Sequence, residues 1–237
     1  MVPQIATESI IYPDSDGQPM ADNTKQFRWI VVIKENLELL FANHPDVFVA
    51  GDLLWYPVEG NNKIRQAPDA MVVFGRPKGD RGSYRQWNEE NIAPQVVFEI
   101  LSPGNRPKEM IQKFKFYERY GIEEYYLYDP DDNELSGWLR SASDLEMIET
   151  MDNWVSPRLG IRFQLMLDTL LIYRPDGQRF LTFVEIAQLQ AQETRRAEQE
   201  RQRAEQERQR AEREQRRAER LAEQLRALGV EPDFEED

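Results

Sequence analysis

The sequence predicts an α/β (α+β) protein, with a mixed sheet flanked by helices and then one long charged helix. Three observations predict it. Strand-like and helix-like stretches alternate from residue 23 to about 184. Within them, Pro94-Gln-Val-Val-Phe-Glu-Ile-Leu-Ser-Pro103 is an apolar run bounded by prolines, which reads as a central strand covered on both faces. From about Val184 the composition turns abruptly to Arg, Glu, Gln and Ala. The expected organisation is an irregular segment over 1–22, the sheet domain over 23–184, a charged helical or coiled-coil segment over 185–229 and an acidic tail over 230–237.

Taken in order, Asp14-Ser-Asp-Gly17 predicts a turn. Asn23 or Thr24 caps a helix whose apolar positions are Phe27, Ile30, Val31, Ile33, Leu37, Leu40 and Phe41. Val47-Phe-Val-Ala-Gly-Asp-Leu-Leu-Trp-Tyr56 reads as one strand with a bulge or kink at Gly51. A second strand is Ala67-Pro-Asp-Ala-Met-Val-Val-Phe74. A long loop over 75–93 carries Arg76, Lys78, Arg81 and Arg85 among Tyr84 and Trp87. After the central strand, a helix runs from Pro107 to Tyr120 and stops at Gly121. Glu124–Asp129 is a strand, residues 135–139 and 145–149 a meander, and 154–163 irregular. Residues 170–173 and 180–183 read as a hairpin. The unit Arg196-Ala-Glu-Gln-Glu-Arg-Gln202 then recurs at 203–209 and degenerates at 210–216. Ala197, Ala204, Ala211 and Ala218 make a weak seam that only Leu221, Leu225 and Leu228 strengthen.

Composition limits the chemistry. With no cysteine and one histidine, His44, in 237 residues, disulfides, thiolate metal sites and a multi-His zinc site within one chain are excluded. A metal would sit on oxygen ligands, which favours Mg²⁺ or Mn²⁺. The net charge of -13 argues against loose, non-specific nucleic-acid binding but allows a local basic surface. Met1-Val-Pro-Gln-Ile opens no signal peptide, and no apolar stretch is long enough for a membrane helix, so a soluble, cytoplasmic protein without membrane contact is expected.

Glu99 is the lone carboxylate in the central strand, and alternation points it the same way as Val97 and Leu101. Burying it requires a partner, a proton or a metal. Asp69 stands near the start of the preceding strand, so the two carboxylates can meet at one end of a sheet, near the backbone carbonyl of Ile100. On the following helix, spacing at about 100° per residue puts Lys113 inside the apolar stripe of Met110, Phe114, Tyr117 and Tyr120, and Lys108 and Lys115 on the far side. A structural Glu99–Lys113 ion pair satisfies these observations as well as a site does. The tyrosine stripe reads as core packing, and the loop arginines also fit an ordinary solvated loop.

Pro68-Asp69, Val97-Phe-Glu-Ile-Leu-Ser-Pro103, Lys113-x₃-Tyr117-x₃-Gly121 and Glu124-Tyr-Tyr-Leu-Tyr-Asp-Pro130 together resemble the Uma2 family of restriction-type endonucleases, in the form found in cyanobacteria. That family lies in the PD-(D/E)xK nuclease-like superfamily. The resemblance spans about residues 10–185 and implies a restriction-endonuclease-like domain. It implies Asp69, Glu99 and Lys113 as catalytic residues, with Mg²⁺ (Mn²⁺ as substitute) on Asp69, Glu99 and the Ile100 carbonyl. Asp52 is the candidate upstream carboxylate, with Asp16 and Glu35 behind it. Arg76, Lys78, Arg81 and Arg85 are the candidate contacts to DNA. One departure stands out: the superfamily's lysine position, two after the glutamate, holds Leu101, and Lys113 is its expected substitute. The expected activity is a Mg²⁺-dependent DNA endonuclease acting as a homodimer. The alternatives are an inactive nucleic-acid-binding module and a coiled-coil assembly protein.

Overall fold

The computed structural model describes residues 10–17 and 19–228; the expected acidic tail at 230–237 lies outside them. The chain divides into two compact units, Met1–Leu181 and Thr182–Asp237.

In the first unit Asn23 caps α1 (Thr24–Leu40), its side chain accepting from the amides of Lys25 and Gln26. Ile30, Ile33 and Leu37 bury one face of the helix. The main sheet contains β1 (Val47–Ala50), β3 (Ala70–Phe74), β5 (Val96–Ile100), β6 (Glu124–Asp129), β7 (Glu134–Ser141) and β8 (Asp144–Met147), hydrogen-bonded in the order β1-β3-β5-β6-β7-β8. Within this sheet only β5 and β6 pair in parallel. A parallel pair needs a long crossover, and α2 (Pro107–Arg119) supplies it. Gly121, at φ 89, takes the left-handed conformation that ends this helix. The core thus has two layers. Phe98, Ile100 and Tyr126 pack on the α1 side with Ile33 and Leu37, while Val97 and Tyr125 pack on the other side with Tyr117 of α2. All five residues of β5 are buried, as expected of a central strand. The expected mixed sheet flanked by helices is the observed fold.

Three local expectations are corrected. The run 47–56 is two strands, because Asp52 adopts φ 49 and turns the chain out of the sheet. Its second half, β2 (Trp55–Tyr56), pairs in parallel with β4 (Tyr84–Arg85), so the 75–93 loop holds a strand and, at Gln86–Asn88, a single 3-10 turn. The hairpin expected between 170–173 and 180–183 forms instead between β9 (Arg162–Leu165) and β10 (Leu170–Tyr173), although the Phe180 amide still donates to Ile172.

The second unit is dominated by α3 (Phe183–Ala227), 45 residues long. Thr182 and Glu185 form a capping box that starts it. Arg208 pairs with Glu205 at 3.2 Å and Glu212 at 3.7 Å, and Leu221, Leu225 and Leu228 are exposed.

Candidate active site

Asp69 immediately precedes β3. Ala70 lies opposite Phe98 in the antiparallel register, so Asp69 and Glu99 come side by side at one end of the sheet. Both are buried, at 8% and 2% exposure. Asp69 Oδ2 accepts the Ile100 amide at 2.6 Å, which ties the two strands together. Glu99 alternates away from Phe98 and Ile100 and so faces α2. There Lys113 Nζ donates to its Oε2 at 2.6 Å, and the Tyr117 hydroxyl donates to Oε1. Lys113 and Tyr117 are four residues apart, on one helical face. The structure therefore brings Asp69, Glu99 and Lys113 together, with the lysine coming from the helix.

Two adjacent buried carboxylates resist ionising together. Burial, and then the charge of Glu99, push the Asp69 pKa well above the usual carboxylate range, against the pull of Lys113 and the Ile100 amide. Burial works against the Lys113 ammonium, but the charges of Glu99, Asp69 and Asp52 outweigh it and hold its pKa above the ordinary lysine value. Asp69 and Lys113 open onto a cavity of about 370 Å³, also lined by Asp16, Asp22, Gln26 and Asp52. The Asp52 carboxyl is pushed up by burial, then by Asp16, with Lys113 opposing.

Gly51 approaches the backbone of Asp69 closely. A Cβ there would stand 3.3 Å from both the Asp69 carbonyl and Lys34 Cγ. No three Asp, Glu, His or Cys residues among the described residues are grouped so as to hold a metal ion. The donor set fits Mg²⁺ in another way, since that ion takes one or two carboxylates and fills its shell with water and substrate phosphate. The residues that fit are Asp69 and Glu99. The Ile100 carbonyl shares their end of β5 but already accepts the Gln26 amide at 2.8 Å. Glu35 does not line the cavity; it is exposed and paired with Lys34 at 3.0 Å.

The loop cations are bound to carboxylates of the chain itself. Arg76 pairs with Glu89 and Glu90 at 3.0 and 2.7 Å, Lys78 with Glu38 at 2.9 Å, and Arg81 with Glu89 at 2.7 Å. Arg85 lies 3.8 Å from Asp14. With 43 acidic and 30 basic residues, a basic side chain readily finds an acidic neighbour. Two polar partners are not apparent from the sequence pattern used above. Tyr117 looked like packing alone. Gln26 had a legible signal, standing one turn before Ile30 on the buried face of α1.

Comparison with known families decides the affiliation. The Uma2 family, described as "Putative restriction endonuclease", matches residues 16–171. The chain belongs to the Uma2 family. Among solved structures, this Uma2 chain is similar to "a putative nuclease belonging to DUF820" from Anabaena variabilis, at 16% identity and a TM-score of 0.43, over 59% of this chain and 74% of that one. No curated protein matches it. No helix among the described residues is long and apolar enough to cross a membrane.

Proposed function

We propose that this Uma2 protein is a Mg²⁺-dependent DNA endonuclease that hydrolyses phosphodiester bonds. One observation carries the reading: Asp69 and Glu99 are buried side by side, Glu99 is paired with the Lys113 ammonium, and Asp69 and Lys113 line an acidic cavity. Mg²⁺ held by these carboxylates, or Mn²⁺ in its place, would supply a Lewis acid toward phosphate and a water of lowered pKa. Tyr117 and Lys113 fix the Glu99 carboxylate from both oxygens. Lys113, which also lines the cavity, orients the attacking water or stabilises charge developing on phosphorus. A homodimer would give each strand of a duplex its own site.

Mn²⁺ titration followed by incubation with supercoiled plasmid tests this. Wild type is expected to bind the ion and nick the plasmid, and Asp69→Ala and Glu99→Ala to do neither. Variants that still bind Mn²⁺ and nick would sink the proposal.

A second reading is a nuclease fold that binds nucleic acid without turnover. It is favoured by Leu101 in the superfamily's lysine position and by the engagement of both Glu99 oxygens. It predicts nucleic-acid binding without cleavage under any metal. Deleting residues 190–237 tests the assembly role of α3: self-association should disappear while nucleic-acid binding stays.

A further inference from the structure

Residues Ile11–Asp14 lie against a surface made by β2, β4 and the turns beside them. The Tyr12 ring stands 5.2 Å from that of Tyr56 and 4.9 Å from that of Trp87. The Arg85 guanidinium lies 5.3 Å from the centre of the Tyr12 ring. The polar contacts run mostly one way. Asn62 donates to the Ile11 carbonyl at 2.8 Å, Arg85 to the Tyr12 carbonyl at 3.2 Å and the Tyr56 hydroxyl to the Pro13 carbonyl at 2.7 Å. The Ser83 hydroxyl donates to Asp14 at 3.1 Å, and the Gly60 amide to the Tyr12 hydroxyl at 2.6 Å. The surface thus presents donors and aromatic faces, and the segment lying on it presents acceptors, a carboxylate and one ring.

A nucleic-acid strand offers the same complement. Its phosphate and sugar oxygens accept hydrogen bonds, and its bases stack on aromatic side chains. The segment continues to Asp16, which lines the acidic cavity, so a strand following this path would reach Asp69 and Lys113. Residues 10–15 also precede the part of the chain that matches the Uma2 family.

We infer that the surface around Tyr56, Trp87, Arg85 and Asn62 is a binding site for an unpaired nucleic-acid strand, and that residues 11–14 fill it as a tethered competitor. The inference rests on the nuclease reading and adds where the strand enters and what holds it off. Apparent affinity then falls in proportion to the fraction of molecules whose surface is open. Gly82 gives a way to act on the competitor from the domain side. A Cβ at this position would fall on the Asp14 carboxylate, the free end of a flexible side chain, which would have to move away.

The test is fluorescence anisotropy of a labelled single-stranded DNA of about 20 nucleotides, titrated with the full chain in EDTA so that cleavage plays no part. The Tyr12→Ala/Asp14→Asn variant is expected to bind about fivefold more tightly than wild type. Gly82→Ala, which leaves Tyr12 in place, is expected to bind roughly twofold more tightly. Trp87→Ala, with its stacking face gone, is expected to bind at least about fivefold more weakly. Equal or weaker binding by both released variants would overturn the competitor while leaving the nuclease reading intact. Absence of binding by wild type and by both released variants would overturn the strand site together with its competitor, and plasmid nicking with Mn²⁺ then decides the nuclease reading on its own.

Discussion

Glu99 and Glu124 are buried glutamates on neighbouring strands, 2% and 0% exposed, and they face opposite sides of one sheet. Glu99 points to α2, whereas Glu124, opposite Val96 in register, points to the α1 layer. Glu124 accepts from the Ser156 hydroxyl at 2.5 Å, the Arg158 amide at 2.6 Å and the Tyr126 hydroxyl at 2.9 Å. Burial raises its pKa, and these donors pull it back only in part. The donors on its oxygens are neutral, and burial rather than a second carboxylate raises its pKa. Glu99 instead holds an ammonium, stands beside Asp69 and raises the pKa of both Asp69 and Asp52. Burial of a carboxylate alone therefore marks no site. Like-charged neighbours beside an opening, here Asp69 on the cavity with Glu99 behind it, are the stronger indication, because they store a repulsion that a cation relieves.

The comparison can be broken by substitution at each glutamate. Glu99→Gln is expected to cut plasmid nicking by at least about 10³-fold and to cost less in urea unfolding than Glu124→Ala, since the amide keeps one acceptor and its lost charge relieves the repulsion on Asp69. Glu124→Ala is expected to cost about 3 kcal/mol in urea unfolding, because it strands three buried donors. Its cleavage per folded molecule should match wild type. Equal stability losses at the two positions would make Glu99 a structural residue of the same kind as Glu124.

Metal and pH sharpen the contrast. The folded state raises the Asp69 pKa, so it holds that proton more tightly than the unfolded chain does. The linked stability is present below the unfolded aspartate value and is lost as pH rises through the folded value. Metal-free wild type should thus lose stability on going from acid to pH 8. Asp69→Asn, which keeps an acceptor for the Ile100 amide, should flatten that slope and melt roughly 2–4 °C higher at pH 8 in EDTA. Glu124 contributes a slope of the same sign, but Mg²⁺ should offset only the part due to Asp69. A thermal-melt series across pH, with and without Mg²⁺, separates the two. A wild-type slope unaltered by both Mg²⁺ and Asp69→Asn would remove Asp69 from the metal site.

Periodicity made part of this contrast legible in the sequence. Two-residue alternation oriented Glu99, and a 3.6-residue wheel turned Lys113 toward it from 14 residues away, to 2.6 Å. Asn23 and Pro107 gave the starts of α1 and α2, and Gly121 the end of α2, to within a residue. Partnerships between distant residues were not legible. Glu124 looks like an ordinary strand-entry glutamate until Ser156 and Arg158, more than 30 residues later, fold onto it. The split of 47–56 depends on one left-handed residue, Asp52, and on β4 arriving beside β2. The four loop cations looked available because Glu38, Glu89, Glu90 and Asp14 become their neighbours only in the fold. The helical wheel put Tyr117 on the buried face, but the partner of its terminal oxygen is a matter of tertiary structure.

The smallest expected difference is between two hydroxyls. Tyr117→Phe removes one donor from Glu99, and Tyr126→Phe removes one from Glu124, each leaving a ring of nearly the same shape in place. Tyr117→Phe should cost about 1 kcal/mol of stability, the net worth of one buried hydrogen bond, and Tyr126→Phe about 2 kcal/mol, because the Tyr126 hydroxyl also accepts the Trp154 indole N–H at 3.1 Å. Their functional effects should diverge. Without Tyr117 the Glu99 carboxylate is fixed through Lys113 alone and can rotate, so Mn²⁺ affinity should fall by about tenfold, as when a group that orients a metal ligand is removed. Tyr126→Phe should leave Mn²⁺ affinity and cleavage at wild-type values. Calorimetric titration of the two variants side by side reads this directly. If Tyr117→Phe loses stability but no metal affinity, its hydroxyl serves the fold as Tyr126 does, and Lys113 alone positions Glu99.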